Sequence, residues 1–103
     1  MHRIDMSLRA DKDEEAVRRA GYGAKFAEIM NTVKKDPFEP TPGHHFEQLK
    51  GNLKNHYSRR INYHNRFIYT VHPNTENAID ETGKPYDGIV RVHRAWGHNY
   101  KIV

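Results

Sequence analysis

Tyr22, Phe26, Ile29, Met30 and Val33 fall on one face of an α-helix, and Pro37 cuts the pattern off just after Lys35-Asp36. A helix apolar on one side only cannot stand alone. It needs a second layer to cover that stripe, and a chain of 103 residues can build only one such core. The whole of 1–103 is therefore read as a single domain.

The covering layer is legible further along. HYSRRIN and RFIYTV are rich in β-branched and aromatic residues and are joined by a short NYHN, the pattern of a tight hairpin. PNTENAIDETGKPYDG, with its Gly, Pro, Asn and Asp, predicts an exposed loop before a further strand, IVRVHRA. Upstream, MHRIDMS places Ile4 and Met6 on one side of a first strand. RADKDEEAVRRAG predicts a first helix near residues 8 to 20, with Gly21 as its C-cap. DPFEPTPG, with three prolines in eight residues, is a stiff extended connector. The expected class is α+β: an N-terminal strand and two helices packed on one face of an antiparallel, twisted sheet.

Charge is distributed unevenly. The net charge is +4, yet both ends of the chain are close to neutral, and residues 48–75 hold Lys50, Lys54, Arg59, Arg60 and Arg66 with no acid at all. Such a segment seeks phosphate if its side chains converge. The chain has no Cys, which excludes disulfides, thiolate nucleophiles and zinc-thiolate sites. No run of 18 apolar residues and no signal-peptide core is present, so a cytoplasmic protein without a membrane partner is expected. Walker loops, GxGxxG and GxSxG are absent. Eight histidines raise the question of metal, but there is no HxH pair and no HExxH, and His44 and His45, as neighbours in an extended chain, point to opposite faces. Neither metal nor cofactor is expected.

Four features remain as candidates for chemistry: Glu47 in FEQLKGNL, Ser58-Arg59-Arg60, Arg66, and His98 in AWGHNY. Read singly, each is bland: a solvated carboxylate, surface cations, an exposed ring. Together they supply what metal-free RNA cleavage requires, namely a base for the 2′-hydroxyl, cations for the phosphorane and an acid for the leaving 5′-oxygen. Tyr57, Phe67 and Tyr69 read as sheet packing, whereas Trp96 and Tyr100 could stack on bases.

The ordered blocks PFE, FEQLKG, YSRRIN, NRFIY and AWGH, spread over residues 36–100, resemble the Txe/YoeB group of the RelE superfamily of toxins from bacterial toxin-antitoxin modules. The resemblance implies a RelE-like microbial ribonuclease fold and a ribosome-dependent endoribonuclease that cuts mRNA. It also implies neutralisation by a cognate antitoxin of YefM/Axe type and allows a homodimer. By position, Glu47 matches the general base, Arg66 the phosphate-stabilising arginine and His98 the general acid. Arg59 and Arg60 match the basic pair beside the substrate phosphates, and Lys50, Lys54, Trp96 and Tyr100 are further candidate RNA contacts. Two departures stand out: Asn65-Arg66 replaces the family's frequent His-Arg, and His98-Asn99-Tyr100 replaces a terminal His-Tyr. The alternative reading is a non-catalytic RNA- or protein-binding module of the same fold, which needs the cations but neither Glu47 nor His98.

Overall fold

The computed structural model describes residues 1–97. His98 and Tyr100, with Asn99, lie outside the described residues. The chain runs β1 (His2–Met6), α1 (Leu8–Arg19), α2 (Gly23–Lys35), β2 (Glu47–Gln48), β3 (His56–Arg60), β4 (Arg66–His72) and β5 (Gly88–Arg94). A single 3-10 turn spans Gly51–Leu53.

Ser7 starts α1 by accepting a hydrogen bond from the Ala10 amide at 3.0 Å. The stripe on α2 becomes the underside of the core: Phe26, Ile29 and Val33 are buried, Met30 is partly so, and Tyr22 falls at the exposed N-cap. The sheet side of this core is Phe67, Tyr69, Val90 and Val92, alternate residues of the two central strands, with Ile4 and Met6 packed at its edge. Phe26 meets Phe67 edge-on with centroids 5.8 Å apart.

The five strands are ordered β1-β5-β4-β3-β2. The last four form the expected antiparallel meander, but β1 pairs with β5 in parallel, so the sheet is mixed rather than antiparallel. The reason is topological. The helix pair carries the chain beneath the sheet to the far edge, and the meander then returns β5 beside β1 in the same direction.

The connection at residues 73–87 is the exposed loop expected, braced internally as a hairpin extension. The Asn74 side chain donates to the carbonyls of Ala78 and Tyr86 and accepts from the Ala78 amide, and Ile79 bridges Pro85. Between β4 and β5 the register shifts: Tyr69 faces Val92 while Ile68 faces Arg94, which leaves His93 as the extra residue of a bulge.

Candidate active site on the open sheet face

Because side chains alternate along a strand, the sheet face away from the helices collects Glu47, Ser58, Arg60 and Arg66 at one end. The register fixes their neighbours: Glu47 opposes Ser58 across β2 and β3, and Arg60 opposes Arg66 across β3 and β4. Glu47 Oε2 is 3.9 Å from Arg66 Nη1, with the Glu47 side chain 55% exposed and that of Arg66 16%. Arg66 Nη1 also makes a long, 3.5 Å contact to Ser58 Oγ. Arg60 Nη1 donates to His45 Nε2 at 3.2 Å, its Cζ lies 5.8 Å from the Tyr63 ring centre, and its buried Nε has no partner among the described residues. Two like charges placed directly opposite on a sheet repel each other, and a bridging anion relieves that repulsion. The corner therefore combines an accessible carboxylate with a pair of cations that favours phosphate.

The chain that leads into the tail is pinned at this corner. Arg94 Nε donates to Asp13 Oδ2 of α1 at 2.8 Å, the Ala95 amide donates to the same oxygen at 3.0 Å, and Arg94 Nη2 donates to the Trp96 carbonyl at 2.7 Å. Gly97 turns at φ +106°, a conformation that L side chains rarely adopt. Its amide donates to Asn65 Oδ1 at 2.6 Å, and its carbonyl accepts from the Arg66 amide at 3.1 Å. The tail that begins at His98 thus leaves from the residue bonded to Arg66.

Two expected RNA contacts are corrected. Arg59 does not reach the open face: it is fully buried on the helix side of β3, its Cζ 4.7 Å from the Phe46 ring centre. Its guanidinium donates to Tyr69 Oη at 3.0 Å, His44 Nδ1 at 3.0 Å, Glu39 O at 2.7 Å and Pro37 O at 3.3 Å. All of those donors are spent on tying the proline-rich connector to the sheet, because alternation sends only one of two adjacent arginines to each face. Trp96 likewise turns its half-buried ring to the helix side, where it packs on the core 6.1 Å from Tyr22. Lys50 and Lys54 stay exposed on the short loop that joins Glu47 to β3.

Several contributors were not singled out by the sequence. His44 is buried and His45 exposed, across a backbone that turns through a positive φ of 48° at His45. An arginine can only donate, so His44 Nδ1 is the acceptor toward Arg59 and Nε2 carries the proton that goes to Glu28 Oε2 at 2.8 Å. That bond from His44, and then Lys25, holds the Glu28 carboxyl below its ordinary range. Burial pushes the Tyr69 phenol up to about 12, so it stays protonated and donates to the Pro37 carbonyl. The His44 carbonyl accepts from the Arg60 amide at 2.6 Å, which couples the connector to the strand bearing the site. Only the composition of DPFEPTPGHH hinted at these roles. Among the described residues, no group of three or more His, Cys, Asp or Glu side chains is arranged to hold a metal ion, and no helix is long and apolar enough to cross a membrane.

The family model described as the YoeB-like toxin of bacterial type II toxin-antitoxin systems matches residues 10–86. The chain belongs to the YoeB-like toxin family. No curated protein matches it. Its fold is similar to that of a YoeB/ParE toxin from Agrobacterium tumefaciens, with a TM-score of 0.74 and 22% identity over 94% of this chain and 99% of that one. It is also similar to a YoeB dimer from Staphylococcus aureus, with a TM-score of 0.67 and 24% identity over 96% and 98%. A YoeB-YefM heterotetramer from Staphylococcus aureus gives a TM-score of 0.65 and 22% identity over 97% and 99%. For a YoeB-like toxin, the two helices on a five-stranded mixed sheet are the expected frame, with Glu47 and Arg66 on its uncovered face.

Proposed function

We propose that this YoeB-like toxin is a ribosome-dependent mRNA endoribonuclease acting in the cytoplasm. The observation that carries the reading is the corner itself: an accessible Glu47 carboxylate 3.9 Å from Arg66, beside a second arginine that opposes it across the strands. Glu47 takes the proton of a ribose 2′-hydroxyl, whose oxygen attacks the adjacent phosphorus. Arg66 and Arg60 hold the charge that builds on the phosphorane oxygens. The bond to the 5′-oxygen breaks as His98 protonates that leaving group, giving a 2′,3′-cyclic phosphate and a 5′-hydroxyl. The pinned Gly97 supports this role for His98, since it starts the tail at the Arg66 amide. Lys50, Lys54 and Tyr100 are assigned to contacts with the surrounding RNA.

Every group in this scheme is a side chain, so the reading assigns no metal to the chemical step. The small open corner grips little of an RNA by itself, and the ribosome supplies the alignment that a general base of this kind requires. An acidic, YefM-like antitoxin segment would cover the cationic face, and a dimer is the second assembly suggested by the family's solved structures. Mapping mRNA ends on translating ribosomes tests the reading. Glu47→Gln and Arg66→Gln should each abolish codon-phased cleavage with the fold retained. Equal cleavage of naked RNA, or a 5′-phosphate product, would overturn it.

A further inference from the structure

The open face carries a second cluster that the cleavage chemistry does not use. His56 on β3, Thr70 and His72 on β4 and His93 on β5 lie together. Thr70 Oγ1 is 2.7 Å from His72 Nε2 and 2.9 Å from His93 Nε2. A hydroxyl has one proton, so it donates to one ring and accepts from the other, which fixes both rings in orientation. The His56 ring lies 5.1 Å from that of His93, tilted by 44°, and its Nδ1 is 3.2 Å from the Lys54 carbonyl. His93 reaches this face because the β5 bulge makes it the extra residue between Val92 and Arg94.

The cluster has a cation beside it. Burial, with His56, Arg91 and His72 nearby, holds the His93 imidazole down to about 4, so it is uncharged at neutral pH. Arg91 opposes Thr70 in the register, is exposed, and has no ion-pair partner among the described residues. The acids on this part of the face, Asp5 and Glu76, are both engaged by Arg3. His56 is two residues from Ser58 on the same strand, about 6.6 Å along the sheet from the level of Glu47.

Oriented rings on an open face, beside an arginine with no ion-pair partner among the described residues, suit an unstacked base and its phosphate. An acidic peptide would call for charge in the cluster, which the uncharged His93 ring does not supply. We propose that His56 and His93, fixed by Thr70, form a stacking platform for the base next to the cleaved bond, with Arg91 meeting that nucleotide's phosphate. The proposal rests on RNA being the substrate.

The probe is a fluorescent 2′-O-methyl RNA pentanucleotide, which cannot be cleaved, titrated into the full chain at pH 7 with the histidine ring signals followed by NMR. His56 and His93 signals should shift on binding. His56→Ala and His93→Ala should each weaken binding by about fivefold to 150-fold, the worth of a stacked base, while His93→Phe restores it. Arg91→Gln should weaken binding and reduce its salt dependence. On ribosomes, the two alanine variants should change which nucleotide is preferred beside the cut. If Glu47→Gln leaves cleavage intact but the platform variants still weaken the pentanucleotide, the cleavage reading fails and the platform stands. If Glu47→Gln abolishes cleavage while folded His56→Ala and His93→Ala bind and cut as the parent does, the platform is overturned. A loss confined to antitoxin binding would also overturn it.

Discussion

Replacing Arg59 with Met keeps a stem of similar length and removes every donor, so the cost can be worked out partner by partner. Tyr69 Oη still donates to Pro37 O, so both keep a bond, and Glu39 O still accepts from the Thr41 amide at 2.9 Å. Among the described residues, His44 Nδ1 alone loses its only partner in a fully buried position, at about 1–3 kcal/mol. The weakened bonds at Tyr69 and Glu39 add about 1 kcal/mol each, and relief of the buried guanidinium's desolvation offsets part of the sum. The net expectation is a loss of about 2–4 kcal/mol, which for a domain of this size lowers Tm by on the order of 10–30 °C. Urea unfolding of Arg59→Met against Arg60→Met is the assay. Arg60→Met should unfold near the parent, within about 0.5 kcal/mol, yet bind RNA poorly. Adding His44→Leu to Arg59→Met should recover part of the loss, because the orphaned acceptor goes with it. An Arg59→Met protein as stable as the parent but weak toward RNA would refute the assignment of Arg59 to the interior and return it to the phosphate site.

Three other outcomes follow from the same contacts. Asp13→Asn should cost about 3 kcal/mol, since it strips the charge partner from the largely buried Arg94. It should also lower cleavage more than stability explains, because the tail stem loosens; a stability loss with cleavage per folded molecule unchanged would argue against the pinned stem. The His93 imidazole, held near 4 in the fold against 6.5 in the unfolded chain, binds its proton more readily when unfolded. Stability should therefore be full above about pH 6.5 and fall as the pH drops toward 4, and His93→Gln should flatten that part of the Tm profile; an unchanged profile would assign the acid sensitivity elsewhere. His98→Gln should slow single-turnover cleavage on programmed ribosomes by about a hundredfold to ten-thousandfold and leave Tm alone, and an unchanged rate would remove His98 from the catalytic assignment.

The sequence by itself determined the elements whose signals are local. The α2 stripe, the stop before Pro37 and the Tyr69 and Phe67 core positions all follow from periodicity, because one apolar face must be covered wherever the chain goes. The acid-free segment likewise marked the strands that carry Arg60 and Arg66. Tertiary structure decided what depends on pairing. β1 lies parallel to β5 because strand order is set by how the helices cross the sheet, which no local pattern encodes. Arg59 and Arg60 look alike in sequence and part only when β3 is laid beside β4, with one arginine sent beneath the sheet and the other to its open face. The His56, Thr70, His72 and His93 cluster joins three strands and needs a bulge to bring His93 into line, so its residues stand up to 37 positions apart in the chain and meet only in the folded sheet.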